Sequence, residues 1–219
     1  MPIYKEQFLF SDIVASTANL SNLSVAVVGS VINSILSELP SSFAKSGFLS
    51  LPIGVFTLSK IEAMEGLNEQ GGYIQSPPQW GIEFVPYSKF RRTIFTATKT
   101  ELFTSHSYLT TSFFMAEFEK NADLNEVVKL VAYNTGHSVA NVEEILENFL
   151  ETVSGAVSQT GYVELNKFGS FRLKTHAAQE GKDPHGNPYS VPERISVEFN
   201  AFKHFRDTVE RAAGKPCIE

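Results

Sequence analysis

The residue types that most readily do chemistry are few in this chain and poorly spaced for it. Five histidines stand at His106, His137, His176, His185 and His204, and no pair has the HExxH interval that sets two imidazoles on one helix face for zinc. Cys217 is the only cysteine, so neither a thiolate cage nor an internal disulfide can form. The stretch TSHSY, Thr104–Tyr108, puts serines beside His106, but adjacency in sequence supplies neither an orienting acid nor oxyanion donors. Gly71, Gly72 and Gly181 read as turns rather than phosphate cradles, because none opens a predicted helix. Glu143, Glu144, Glu147 and Glu151 share the outer side of an amphipathic helix, a solvated face. The expectation is a non-catalytic chain with no metal and no cofactor.

What remains is binding. Of 219 residues 42% are hydrophobic, enough for one large or two small packed domains. Lysine and arginine number 18 against 24 acids, a net charge of -6, which is the wrong sign for a surface that neutralises phosphates throughout. No stretch reaches the roughly 20 uninterrupted apolar residues of a membrane helix. The opening MPIYKEQFLFSD has no basic region followed by an apolar run and a cleavage site. These features predict an intracellular protein with no membrane partner.

The elements that must position any binding residue occur twice. WGIEFVPYSKFRRTI (Trp80–Ile94) lies over ISVEFNAFKHFRDTV (Ile195–Val209) at an offset of 115, matching Glu83 with Glu198, Phe84 with Phe199, Phe90 with Phe205 and Arg91 with Arg206. The same offset lays GVFTL (Gly54–Leu58) over GSFRL (Gly169–Leu173), and an offset of 114 lays GFLSL (Gly47–Leu51) over GYVEL (Gly161–Leu165). Three blocks in one order at nearly one spacing mean two copies of a unit of about 90 to 95 residues.

In the second copy Leu124, Val127, Val128 and Val131 fall at helical spacing between a capping Asp123 and a stop at Gly136. A longer helix begins near Ser138 and carries a broad stripe of Val142, Ile145, Leu146, Phe149, Leu150, Val153 and Val157, which must bury against something. The alternating YVEL and SFRL are strands, a projecting arm follows, and a short helix closes the unit from Ala201 to about Arg211. The first copy repeats this order, with its second helix expected to stop at Pro40. Between the copies, Phe113, Phe114, Met115 and Phe118 make the connector too apolar for a free linker.

Along residues 122 to 210 the second copy resembles the bacterial HU/IHF family. The match is carried by FGSF (Phe168–Phe171), the arm residues Ala177, Ala178, Gly181 and Pro184, the returning Val191 and Pro192, and FKHFRDTV (Phe202–Val209). The first copy keeps the helix pair, IGVF and the final helix, but its arm, SKIEAMEGLNEQGGYIQSPPQW, lacks the arm motif. The resemblance implies an α+β fold of two tandem HU/IHF-like domains: 1–96 with a divergent arm, an apolar connector at 97–120, 121–213 with a family-like arm, and a tail at 214–219. In that family two protomers interlock, so one chain with both copies implies a single-chain pseudo-dimer, the tether holding the copies at roughly millimolar effective concentration or above.

The resemblance also implies a duplex partner, with Pro184 as a wedge between base pairs and Arg172, Lys174, His176, Lys182, Arg194, Lys203 and Arg206 at phosphate-contacting positions. The charge around them is thin. From Arg172 to Arg206 six basic residues face Glu180, Asp183, Glu193 and Glu198; from Leu58 to Phe84, Lys60 stands alone against Glu62, Glu65, Glu69 and Glu83. The leading expectation is therefore a structural subunit of a larger protein assembly, like the IHF-like structural proteins of crAss-like phages (there a virion component) or the paired HU domains of eukaryotic coiled-coil proteins. It would dock on protein neighbours, further copies of itself included, through Tyr73, Trp80, Phe113, Phe114 and Phe118. The alternative is an architectural protein that binds and bends double-stranded DNA through the second arm, a partner that the net charge disfavours.

Overall fold

The computed structural model describes residues 8–61, 64–67, 73–76, 79–98, 124–182 and 185–213. Asp123, Pro184, Cys217, His106 and the connector residues Phe113, Phe114, Met115 and Phe118 lie outside them.

The first half runs α1 (Phe10–Ser21), α2 (Val25–Ser46), β1 (Phe48–Leu51), β2 (Gly54–Ile61), β3 (Met64–Leu67), β4 (Tyr73–Ser76), β5 (Gln79–Pro86) and α3 (Ser88–Thr98). The second runs α4 (Leu124–Thr135), α5 (Val139–Thr160), β6 (Tyr162–Leu165), β7 (Gly169–His176), β8 (Gln179–Lys182), β9 (Pro188–Val191), β10 (Arg194–Ala201) and α6 (Lys203–Ala213). Each half has a three-stranded antiparallel sheet, β1-β2-β5 or β6-β7-β10, and a two-stranded arm, β3-β4 or β8-β9.

Matching local chemistry builds the matching elements. The hydroxyls of Ser24 and Ser138 cap α2 and α5, accepting from the Val27 N–H at 3.3 Å and the Asn141 N–H at 3.2 Å. Gly47 and Gly161 end those helices in the left-handed region at φ 65° and 73°. Their carbonyls then accept from Leu58 N–H and Leu173 N–H, each at 2.8 Å, which starts both hairpins.

Register explains why one offset does not suffice. Leu51 pairs with Gly54 across a two-residue turn, Pro52 and Ile53, whereas Leu165 pairs with Gly169 across three residues, with Lys167 at φ 60°. The second hairpin has one residue more, so the offset steps from 114 to 115. Beyond it the two halves stay in step: Phe56 pairs with Phe84 as Phe171 pairs with Phe199, and Ile61 with Gln79 as His176 with Arg194. Both glycines that open β2 and β7 are fixed by crowding. A Cβ at Gly54 would lie 2.4 Å from the Val85 carbonyl oxygen, and one at Gly169 would lie 2.5 Å from that of Asn200.

The expectation that α2 stops at Pro40 fails: the helix continues to Ser46 with Pro40 buried inside it. An interior proline loses one backbone hydrogen bond and crowds the preceding turn. Here Phe43, at 0% exposure, and Ala44 lie on that last turn and bury in the core, so tertiary packing outweighs the local penalty. By length and hydropathy alone α2 would also cross a bilayer, but its Val28, Val31, Ile32 and Ile35 are sealed inside the protein at 0% exposure.

The halves share one core. α1 packs on α5 and α2 on α4, while α2 also meets α6 and α5 meets α3, so each long helix lies against helices of the opposite half. β5 meets β10, and the seam fills with phenylalanine. Phe56 lies 4.9 Å from Phe199, 5.6 Å from Phe168 and 6.3 Å from Phe171, while Phe43 lies 5.5 Å from Phe205. Ser21 accepts from the Asn148 amide at 2.9 Å across the same boundary, and Phe8 forms a parallel bridge with Val163 on the edge of β6. Tilted and edge-on rings at these separations add roughly 0.5–1.5 kcal/mol per pair to the burial itself.

Candidate nucleic-acid interface

Alternation along β7 divides its side chains between two destinations. Phe171 and Leu173 point into the core; Arg172 and Lys174 are exposed and His176 is half-buried on the outer face. On β10, Ile195 and Val197 point inward, and Arg194 stands opposite His176, Ser196 opposite Lys174 and Glu198 opposite Arg172. Four of the sequence-predicted contacts, Arg172, Lys174, His176 and Arg194, thus share one outer sheet face.

That face is tied down by local contacts. Lys174 Nζ lies 2.8 Å from Glu198 Oε1, with the two side chains 55% and 48% exposed, so the pair is solvent-screened and contributes at most about 1 kcal/mol. His176 Nε2 is 2.8 Å from Ser196 Oγ. The Arg172 guanidinium sits 5.3 Å from the centroid of Tyr162, on the neighbouring strand. Tyr162 donates to Glu164, and burial together with that hydrogen bond holds its phenol above the usual tyrosine range.

The ladder continues outward without a slip. His176 pairs with Arg194 and, three residues further on, Gln179 pairs with Val191, so the arm is the same hairpin interrupted for two residues on each strand. Lys182 is exposed at the far end of β8 and pairs with Pro188, while Gly181 faces Tyr189, whose ring covers it. Lys203 and Arg206 are placed elsewhere. They lie on α6, beyond the opposite end of β10, roughly 23 Å along the strand from Arg194. Lys203 is exposed, whereas Arg206 is half-buried and donates to the Ala201 carbonyl at 2.9 Å.

The corresponding face of the first half has the same geometry and other side chains. In register, Thr57, Ser59, Ile61 and Gln79 stand where the second half has Arg172, Lys174, His176 and Arg194. Its arm repeats as well: Gly66 pairs with Ile74 as Gly181 pairs with Tyr189, and Leu67 takes the place of Lys182. Gly66 lacks the motif context because Glu62 and Glu69 stand where the second arm has Ala177 and Pro184, with only Ala63 kept; spacing from Gly54 is the signal that finds it. Tyr73 and Trp80, expected as protein-docking residues, fall on β4 and at the start of β5. Among the described residues no three His, Cys, Asp or Glu side chains converge as metal ligands.

Comparison with known proteins finds matches to the second half. A protein-family profile described as "Bacterial DNA-binding protein" matches residues 123–210. DNA-binding protein HU of Thermotoga maritima is 31% identical over 86 residues, covering 39% of this chain and 96% of that protein. DNA-binding protein HRm of Rhizobium meliloti matches with the same identity and coverage. Integration host factor subunit beta of Burkholderia vietnamiensis is 33% identical over 72 residues, covering 32% of this chain and 67% of that one. A solved Anabaena HU–DNA cocrystal structure is 32% identical, covers 39% of this chain and 94% of its own, and has a TM-score of 0.33. The HU and HRm relatives are named as DNA-binding proteins. With a relative matched over nearly its whole length at 31% identity, the chain belongs to the HU/IHF family of bacterial DNA-binding proteins.

Proposed function

We propose that the protein is a single-chain pseudo-dimer of two HU/IHF-type domains that binds duplex DNA as an architectural protein, gripping it through the second half alone. The observation that carries this reading is the outer face of β7 and β10, where Arg172, Lys174, His176 and Arg194 line up and lead in register to Lys182 on the arm. Cations at alternate positions along one strand meet successive phosphates while the other edge of the strand stays in the core. Pro184 belongs to the tip of this arm in sequence, where a wedge between base pairs would kink the duplex.

Relatives named as DNA-binding proteins support this reading over the assembly role that the net charge and the aromatic residues favour. Net charge is a property of the whole surface. The acids of α5 lie on exposed helix positions, so -6 overall coexists with Arg172, Lys174 and Arg194 on the sheet face, where Glu198 offsets one of the three. A role in a protein assembly keeps one supporting observation: the outer face of the first sheet presents Phe48, Val55, Thr57 and Val85 around a single charged residue, Glu83.

Size-exclusion chromatography with light scattering, run at low salt with and without a duplex of about 40 base pairs, separates the readings. DNA binding predicts a protein monomer that shifts into a complex with the duplex. A stable protein oligomer that ignores the duplex would reject it in favour of assembly.

A further inference from the structure

The outer face of the second sheet has an aromatic residue whose arrangement bears on how its cations are presented. Tyr162 is half-buried on β6, the strand beside β7, and is the register partner of Arg172. Its ring is held at both ends: the backbone lies in the β6–β7 ladder, and the hydroxyl donates to Glu164. The Arg172 guanidinium lies over this ring at 5.3 Å. Across the sheet the partner of Arg172 is Glu198, and Glu198 is engaged by Lys174 at 2.8 Å.

We propose that Tyr162 is a positioning residue for DNA binding: its anchored ring holds the Arg172 guanidinium out on the sheet face and keeps that cation from folding down onto neighbouring carboxylates. Planar guanidinium stacks on aromatic faces and leaves its in-plane N–H donors free, the edge with which it takes a phosphate in fork geometry. A long arginine ordered beforehand loses less side-chain entropy when the duplex arrives. The first half has Phe48 in the place of Tyr162 and Thr57 in the place of Arg172, so the ring position persists there and the cation does not.

The inference rests on the second half as the DNA-binding side, and its test has one arm that does not depend on DNA. In the free protein, 15N relaxation of the Arg172 Nε–H should report an ordered side chain in the wild type and in Tyr162→Phe, and a mobile one in Tyr162→Ala. Equal Arg172 mobility in all three overturns the proposal whether or not DNA binds. With a fluorescent duplex, Tyr162→Ala should weaken binding about two- to fivefold, the range of an exposed cation–π contact. It should have no further effect once Arg172→Gln is present, and Tyr162→Phe should stay within about twofold of wild type. Additive losses from Tyr162→Ala and Arg172→Gln would overturn the proposal, since a fold defect adds and a positioning contact does not. Absence of binding by the wild type would instead reject the DNA reading, leaving the relaxation result to judge Tyr162.

Discussion

β2 and β7 are both eight residues long, both lie in the middle of a three-stranded sheet, and both lead into an arm through the same pairing pattern. Their inward residues match, Phe56 and Leu58 against Phe171 and Leu173, and all four are buried. Their outward residues do not: Thr57 and Ser59 stand against Arg172 and Lys174. Inward positions of both strands face one shared core, so a change in either half disturbs the other. Outward positions answer only to solvent or a partner, and each face is free to take its own. Under the proposed reading, the partner surface is the outward face of β7 and β10.

The strongest challenge to that comparison is to the shared core. Phe56→Ala removes a ring that touches Phe168, Phe171 and Phe199 of the other half, and should lower stability by about 3–5 kcal/mol. Urea transitions followed by the fluorescence of Trp80, the only tryptophan, and by far-UV circular dichroism should shift together. Two separate transitions would mean that the halves fold independently.

Next in size are the paired glycines. Gly54→Ala and Gly169→Ala force a methyl to 2.4 Å and 2.5 Å from a carbonyl oxygen of the neighbouring strand, and each should cost about 1–3 kcal/mol. Similar midpoint shifts would support equal roles for the two sheets, and a silent Gly54→Ala would break the equivalence.

Exchanging the outer faces gives a smaller effect, on affinity alone. Arg172→Thr with Lys174→Ser should reduce the dependence of log affinity on log salt by about two and leave the melting temperature within a few degrees of the wild type. Thr57→Arg with Ser59→Lys should steepen it. If the second pair alters DNA binding and the first does not, the binding face has been assigned to the wrong half.

Much of this fold was legible in the sequence because its signals are local. Ser138, Gly161 and the alternation of YVEL and SFRL define caps and strands within a few residues, and a repeat of one spacing carries the reading from one half to the other. Pro40 misled because a local rule yields to the burial of Phe43, which depends on helix α6 of the other half. The cations on β7 were legible from alternation and resemblance, and Arg206 was included with them although it donates to a backbone carbonyl, a contact that only tertiary structure reveals. Tyr162 carries no motif signal, because its contact with Arg172 runs across strands. Net charge does not decide between the two readings, because a single sum cannot tell the acids of a helix from the cations of a sheet face.

The most direct test of a one-sided DNA grip is the anisotropy of a fluorescent duplex of about 40 base pairs, titrated at stepped salt with the wild type and with Lys174→Glu combined with Lys182→Glu. The wild type should bind with a steep loss of affinity as salt rises, and the double charge reversal should abolish binding while the chain remains folded. Wild-type binding at low salt that survives the reversal, or no binding by the wild type at all, would contradict it.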